Sequence, residues 1–127
     1  MLHLLDTNII IALFANEPDV RVKIAELDDV AVPNVVLGEL YFGARRSGKI
    51  EQNVARVDEF ALSSRILSAD KDTASLYGIV KARLLSSGRP IPENDIWIGT
   101  LALQLGAKLV TRDDHFRHID SLVTVAW

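Results

Sequence analysis

The sequence predicts an α/β domain of three layers, in which helices cover both faces of a short, mostly parallel β-sheet. Short, continuous apolar segments alternate with longer segments of helical period along the whole chain. Strands buried on both faces of a parallel sheet have this continuous apolar character. The length of 127 residues fits one hydrophobic core, so we expect a single domain over residues 1–127.

The first half of the chain is punctuated by residues that end regular structure. Pro18 and Pro33 disfavour helix or strand continuation, and Gly48 suits a helix C-terminus. Asn34 is a good helix N-cap, and Val54, Val57 and Phe60 share one helical face. The predicted strands are Met1–Leu5 and Val30–Val32, and the predicted helices are Ile9–Ala15, Asp19–Leu27, Asn34–Arg46 and Ile50–Ala61.

The second half repeats this alternation. Asp70 or Asp72 can cap a long helix over Thr73–Leu85, and Asn94 can cap another that runs to Leu105. The long helix is expected to turn a face of four apolar residues inward: Leu76, Ile79, Val80 and Leu84. The remaining predicted elements are the strands Ile66–Leu67, Leu109–Val110 and Val123–Val125, the loop Ser86–Pro92 and a helical turn over Asp113–His118.

Four acidic residues occupy positions where a core would favour apolar side chains. Asp6 ends the first apolar run, Asp113 follows Leu109–Val110, Asp95 precedes Ile96-Trp97-Ile98, and Glu39 lies within an apolar helix. Asp6 and Asp113 each follow a predicted strand, and ligands of parallel sheets bind beyond this carboxyl edge. Carboxylates are rarely buried unless they are paired or bind a cation, so the set suggests a metal site and phosphate chemistry.

Each acid also has a purely structural interpretation. Asp6 could be an N-cap, and Asp95 would be favoured by the dipole of the helix that it begins. Glu39 could extend its carboxylate to solvent or pair with Arg45 or Arg46. Asp114 competes with its neighbour Asp113 for the inward position.

Composition narrows the functional classes. The chain has no cysteine, which excludes disulfides, thiolate zinc sites and cysteine nucleophiles. The net charge is −3; the four acids contribute −4, so the other residues carry +1 and an anionic substrate is not disfavoured. The N-terminus lacks the basic segment of a signal peptide, and no apolar stretch approaches the length of a membrane span. We therefore expect a cytoplasmic protein.

Four short motifs, in order, resemble those of PIN domains, and most closely those of the VapC-type toxins of toxin–antitoxin pairs. The resemblance covers nearly the whole chain. Gly99 stands where the family commonly has alanine. The motifs are Leu4-Leu5-Asp6-Thr7-Asn8, Glu39-Leu40-Tyr41-Phe42-Gly43, Asn94-Asp95-Ile96-Trp97-Ile98-Gly99, and Leu109-Val110-Thr111-Arg112-Asp113 with Phe116.

The resemblance implies a metal-dependent endoribonuclease that uses Mg²⁺ or Mn²⁺ to activate water. It assigns the acidic roles, catalytic and metal-binding, to Asp6, Glu39, Asp95 and Asp113. Supporting polar roles fall to three residues beside the first and fourth acids: Thr7, Asn8 and Thr111. It also implies an RNA substrate, a homodimer, and a cognate antitoxin that blocks the site.

Three basic residues near the end of the Glu39 helix could bind the RNA backbone: Arg45, Arg46 and Lys49. A solvated helix end that is favoured by the helix dipole is the simpler alternative for them. His115 and His118 are expected to be surface residues near the site rather than ligands.

Three other functions fit less well. A non-catalytic PIN module that binds RNA or protein would retain the same acids, so sequence does not separate it from an enzyme. A phospho-acceptor signalling domain would need an acidic pair after the first strand and a lysine after the last. An aspartate-based phosphatase would need an Asp-x-Asp motif after the first strand, where only Asp6 is present.

Overall fold

The computed structural model describes residues 1–127 and contains five strands, six α-helices and one 3-10 helix. Each predicted element is present, with bounds within two residues of those predicted. None of the helices combines the length and apolar character that crossing a membrane requires. The elements are β1 (His3–Leu5), α1 (Thr7–Phe14), α2 (Pro18–Glu26), β2 (Val30–Pro33), α3 (Asn34–Arg45), α4 (Ile50–Leu62), β3 (Ile66–Leu67), α5 (Lys71–Ser86), α6 (Glu93–Leu105), β4 (Lys108–Val110), the 3-10 helix (Asp114–His118) and β5 (Thr124–Val125).

The strands form one sheet in the order β3-β2-β1-β4-β5, and every neighbouring pair is parallel. The central strand β1 is aligned on both sides, with Leu4 opposite Ala31 of β2 and Leu109 of β4. The chain builds outward from β1 to β2 and β3, and later adds β4 and β5 on the other side. The strand order therefore reverses between β1 and β4, and such switch points form ligand crevices in α/β sheets.

Both faces of the sheet are covered, as the three-layer prediction requires. Successive side chains of a strand point to opposite faces. Leu4 and Leu5 of β1 are nevertheless only 0% and 2% exposed, and Leu109 and Val110 of β4 are fully buried. This burial of consecutive residues explains why the strands have no apolar–polar alternation.

Two helix starts differ from the prediction, because prolines rather than asparagines occupy the N-cap positions. Pro33 and Pro92 have extended backbones with φ of −61° and −53°, and α3 and α6 begin immediately after them. Asn34 and Asn94 therefore lie within the first turn and cap nothing. Asp70 does cap α5: its side chain accepts the Thr73 N–H, and the Thr73 hydroxyl accepts the Asp70 N–H.

One predicted core residue of α5 is exposed. Ile79 is 46% exposed, whereas Val80 and Leu84 are buried, so its inward assignment is wrong. The buried face of α5 is a narrow stripe, and Ile79 is rotated about 100° from Val80 around the helix axis.

Gly99 permits the close approach of the segment that follows the 3-10 helix. A Cβ atom at this position would lie 2.5 Å from Ile119 Cδ1 and 3.4 Å from Leu122 Cδ2. These neighbours fix the 3-10 helix against α6.

Candidate active site

Asp6 lies at the end of β1 and is almost completely buried, with 4% exposure. Its Oδ1 accepts the Thr7 N–H at 2.8 Å, which makes it the N-cap of α1. Its Oδ2 accepts the Thr111 hydroxyl at 2.7 Å and the Asn8 amide at 3.4 Å. The capping interpretation is therefore correct, but a cap alone does not require burial or a second set of donors.

Thr111 connects the ends of the two central strands. Its hydroxyl donates to Asp6 and accepts the Asp113 N–H at 3.0 Å. The Asn8 amide also approaches the hydroxyl, at 3.5 Å, and Asn8 Oδ1 accepts the Arg112 N–H at 3.2 Å. The predicted supporting residues thus fix the first and fourth acidic segments relative to each other.

Glu39 reaches the same edge of the sheet from the middle of α3. Its Oε1 accepts the Thr7 hydroxyl at 3.1 Å, and it forms no ion pair with Arg45 or Arg46. The alternative in which Glu39 is a surface residue paired with one of these arginines is therefore wrong. Burial raises the pKa of Glu39 above its usual range, the Thr7 hydrogen bond opposes this shift, and Asp6 adds to it.

Asp95 and Asp113 approach each other from α6 and from the segment after β4. Their side chains are 13% and 32% exposed. The His115 ring lies between them, with Nδ1 3.0 Å from Asp113 Oδ1 and 3.6 Å from Asp95 Oδ2. One potential ligand atom from each of these three residues lies within 4.8 Å of the others.

His115 is a surface residue beside the site, as expected, with a side chain that is 51% exposed. Its direct contact with two of the acids was not predicted. The available signal was its position two residues after Asp113, in a turn short enough to fold the ring back.

Asp113, rather than Asp114, lies with the other acids. The Asp113 side chain accepts the His115 N–H at 2.9 Å and begins the 3-10 helix. The Asp114 side chain is 87% exposed and lies 3.6 Å from Arg117. The structure therefore places the competitor in solvent.

Burial, with repulsion from neighbouring carboxylates, raises the pKa values of three of the acids: Asp6, Glu39 and Asp95. Burial raises the pKa of Asp95 to about 6, and the charges of Asp6, Asp113 and Glu39 add to this shift while His115 opposes it. Burial also raises the pKa of Asp6, against the Thr111 and Thr7 hydrogen bonds, with Asp113 contributing repulsion. Buried carboxylates that repel one another are favourable ligands for a divalent cation.

The donor set fits Mg²⁺ or Mn²⁺. These hard ions prefer carboxylate oxygens and keep several waters, and the site offers four carboxylates with one imidazole at its margin. No thiolate is available, and a zinc site would be expected to have nitrogen or sulfur as its main donors. The chemistry of the residues therefore agrees with the cation that the sequence predicts.

The opening above Glu39 carries residues suited to contact a nucleic acid. Thr7, Glu39, Phe42, Arg46 and Asn94 line it together with Gly43. Phe42 is 63% exposed, and the Arg46 guanidinium lies 5.4 Å from its ring centroid. Phe42 and Asn94 were not predicted as site residues, because on sequence alone one belongs to an apolar face and the other resembles a cap.

Arg45 and Lys49, the other two predicted RNA contacts, are exposed but do not line this opening. Arg112 is engaged elsewhere, since it donates to both carboxylate oxygens of Glu17 at 3.1 and 3.2 Å. Of the three predicted RNA contacts, Arg46 is therefore the one that lines the opening together with Glu39.

The PIN domain family model matches residues 3–122, which is nearly the whole chain. The chain belongs to the PIN-domain family. It is 31% identical to ribonuclease VapC2 of Rickettsia felis, over 100% of this chain and 98% of that protein. It is 32% identical to the tRNA(fMet)-specific endonuclease VapC of Shigella flexneri, over 98% of this chain and 96% of that protein. The similarity to VapC-type PIN domains is thus confirmed.

The fold agrees with this family at the level of the whole chain. A solved structure of VapBC2 from Rickettsia felis, bound to a DNA fragment from its promoter, superimposes with a TM-score of 0.93. That match covers 100% of this chain and 99% of the other, at 29% identity. The all-parallel sheet therefore belongs to a fold that this relative shares.

Proposed function

We propose that this protein is a metal-dependent endoribonuclease and the toxin of a type II toxin–antitoxin pair. The observation that carries the proposal is the convergence of four acids, from four separate segments, at the switch point of the sheet. Burial and repulsion between carboxylates raise the pKa values of Asp6, Glu39 and Asp95, which is unfavourable for the isolated fold and is expected where a cation binds. The names of the relatives, ribonuclease and endonuclease, support RNA as the substrate.

Asp6, Glu39, Asp95 and Asp113 would hold the cation. When bound, a divalent ion supplies a water of lowered pKa and stabilises charge on phosphate oxygens. The chain itself orients the carboxylates through the hydroxyls of Thr7 and Thr111 and the Asn8 amide.

The substrate would enter over α3. Arg46 offers a cation for a phosphate at the opening, and the exposed Phe42 ring offers a face on which a base can stack. Arg45 and Lys49 extend the positive charge along the outer side of the same helix end. They would contribute to RNA affinity without touching the bond that is cleaved.

The antitoxin would bind in the groove between α1, α3 and α4, beside Glu39. The groove has a volume of about 400 Å³, and its apolar residues include Ile11, Phe14, Leu40 and Val57. Ile11 is 55% exposed, whereas the other apolar residues of α1 lie in the core or pack against it. Two solved relatives are VapBC assemblies, from Rickettsia felis and Haemophilus influenzae, which supports an antitoxin as the partner.

A glycine of the groove allows this partner to be tested. A Cβ at Gly43 would meet no atom within 4 Å, so Gly43→Trp should fill the groove without disturbing the fold. Gly78→Trp is the matched control, because Gly78 is also an exposed helical glycine with open space around it. We expect Gly43→Trp to lower the affinity for the antitoxin, measured by calorimetry, at least about tenfold. Gly78→Trp should leave this affinity unchanged. Equal affinities would place the antitoxin elsewhere.

The decisive experiment is cleavage of total cellular RNA by the antitoxin-free protein, with Mg²⁺ or Mn²⁺ and with EDTA, beside the Asp6→Asn variant. Discrete fragments that need the metal and disappear in the variant would establish the nuclease, and their sequenced ends would define the target. A folded protein that binds RNA without cleaving it under any metal would instead support the non-catalytic binding module.

A further inference from the structure

A second cleft lies along α5, outside the acid cluster. It has a volume of about 340 Å³ and is bounded by α5, the C-terminal half of α6, and the segment that leaves the 3-10 helix. Its floor is apolar and its rim is polar: Val80, Leu84 and Ile119 are buried, whereas Arg83, Arg89 and Ser121 are exposed. An apolar floor with a few polar groups at the rim is the usual construction of a ligand site.

The rim carries two cations without partners. Neither Arg83 nor Arg89 forms an ion pair, and no side-chain nitrogen of either donates a hydrogen bond within the chain. Asp120 is the one acid of the cleft and is also unpaired, so the rim has a net positive charge. Two unpaired guanidinium groups on one rim have the chemistry that binds a phosphate.

His118 adds a donor to the same cleft. Its Nδ1 is buried without a hydrogen-bond partner, so protonating that atom would leave a buried donor unsatisfied. Its Nε2 also has no partner but is not among the buried unsatisfied atoms, so solvent reaches it. The favoured neutral tautomer therefore presents Nε2–H as an accessible donor.

The cleft is adjacent to the acid cluster. His115, which contacts Asp95 and Asp113, and His118, which lines the cleft, are three residues apart on the 3-10 helix. A 3-10 helix has three residues per turn, so both side chains leave from the same side, about 6 Å apart along the axis. The 3-10 helix therefore has one residue beside the acids and one in the lining of the cleft.

We propose that this cleft binds a nucleotide of the RNA substrate that flanks the cleaved phosphodiester. The phosphate lies between Arg83 and Arg89, and the base packs on the partly exposed apolar side chains of the cleft, Leu76 and Leu103. This inference rests on the proposed ribonuclease function and extends it, because it adds a specificity site to the acids. RNA is favoured over a protein partner because the rim offers two unpaired arginines for a phosphate, and because the 3-10 helix that lines the cleft also contacts the acids through His115.

The test compares two double variants in an Asp6→Asn background, which prevents cleavage during the measurement. Arg83→Gln/Arg89→Gln removes both rim cations. Arg21→Gln/Arg65→Gln removes two arginines that bond Asn16 and Asp29 away from the cleft. Affinity for fluorescent single-stranded RNA, carrying the cleaved sequence, is measured by anisotropy across salt concentrations, and unfolding curves verify that each variant folds.

We expect the rim variant to bind RNA about tenfold more weakly, with a salt slope lower by about one phosphate contact, or ~0.7. The control pair should change affinity less than about twofold. Equal effects of the two pairs, while the Asp6→Asn parent binds RNA and the wild-type protein cleaves it, would overturn the cleft assignment and leave the nuclease intact. A wild-type protein that cleaves no RNA, together with an Asp6→Asn parent that binds none, would instead refute the proposed function, and the cleft assignment with it.

A titration with nucleoside 5′-monophosphates distinguishes a free ligand from an RNA residue. Chemical-shift changes at His118 and Ser121 that vanish in the rim variant are expected, together with the loss of RNA affinity. The same shifts without any loss of RNA affinity would assign the cleft to a free nucleotide and overturn the proposal.

Discussion

Asp6 and Asp70 make similar local contacts in different surroundings. Each is the N-cap of a helix, and each accepts a hydrogen bond from a threonine hydroxyl: Asp6 from Thr111, and Asp70 from Thr73. Asp70 also accepts the Gln104 amide at 3.1 Å, much as Asp6 accepts the Asn8 amide. From capping geometry alone the two residues would receive the same role.

The pKa values of the two carboxyl groups are shifted in opposite directions. Hydrogen bonds from the Thr73 backbone, Gln104 and the Thr73 hydroxyl lower the pKa of the exposed Asp70 carboxyl. Burial raises the pKa of Asp6 despite comparable donors, and the nearby Asp113 adds to that shift. The surroundings of Asp70 therefore stabilise its charged form. The surroundings of Asp6 disfavour its charged form, so ionising Asp6 lowers the stability of the fold. The direction of the pKa shift therefore distinguishes the candidate ligand Asp6 from the structural cap Asp70, whereas their capping geometry does not.

The largest expected effect is on cleavage. Asp95→Asn should lower kcat/KM at least about 100-fold, equivalent to about 3 kcal/mol, because a ligand charge is lost at nearly constant volume. Asp70→Asn should leave kcat/KM within about twofold. Steady-state cleavage of one defined RNA checks both. Comparable losses in the two variants would mean that the electrostatic contrast does not identify the site.

The second effect is on the stability of the metal-free protein. The pKa of Asp95 is raised to about 6, so its contribution to stability is complete below the unfolded-state pKa and is lost as pH rises through about 6. Asp95→Asn should therefore raise the free energy of unfolding at pH 8 by about 1–2 kcal/mol, after allowance for solvent screening. The gain should disappear at pH 4.

Urea titrations at pH 4 and pH 8 measure these free energies of unfolding, and Asp70 provides the opposite control. Its lowered pKa means that its contribution to stability is present above the unfolded-state pKa and is lost as pH falls.

Saturating Mg²⁺ should stabilise the parent protein against urea but should not stabilise the Asp95→Asn variant. A parent whose stability rose steadily between pH 4 and pH 8 without metal would contradict the strained state of the acids.

A smaller effect concerns the support of Asp113 and His115. Gly99→Ala improves helix propensity by about 1 kcal/mol, but it places a Cβ 2.5 Å from Ile119 Cδ1, and such overpacking costs about 1–3 kcal/mol. We expect a net loss of about 1 kcal/mol. Ile119→Val removes the colliding methyl group, so a double-mutant cycle should show favourable coupling of about 1 kcal/mol. Strictly additive changes would indicate that Ile119 moves aside without strain.

The smallest effect should come from Asp114→Asn, which sharpens the boundary of the acid cluster. Asp114 is 87% exposed and faces Arg117, so its loss should change kcat/KM less than about twofold. Asp113→Asn, one residue away, should reduce cleavage strongly. If the two variants behaved alike, the fourth acidic role would not belong to Asp113 alone.

The fold was largely predictable because its element boundaries are local. Prolines, glycines and aspartates delimit short apolar strands, and the absence of alternation already indicates a sheet covered on both faces. The errors arose where two local rules compete: Pro33 and Pro92 begin the helices that Asn34 and Asn94 seemed to cap. Ile79 was misplaced because helical period gives the direction of a face but not its width.

The acids of the site were predictable for a different reason. A carboxylate in an apolar segment, such as Glu39, is conspicuous because burying it is unfavourable. The Thr7–Glu39 hydrogen bond, the fold-back of His115 and the contribution of Phe42 to the opening depend on contacts between distant segments, which one sequence does not encode visibly. The candidate ligands could therefore be recognised in the sequence, whereas the contacts that surround them became visible only in the structure.

The Thr111 hydroxyl has a consequence for motion. One oxygen atom holds Asp6 at the end of β1 and the Asp113 backbone beyond β4, so separating these strands breaks both contacts together. Local opening of the site should then require opening of the sheet's centre. The Asp113 amide proton should exchange with solvent as slowly as the most protected amides of β1 and β4, rather than at the rate of a surface turn.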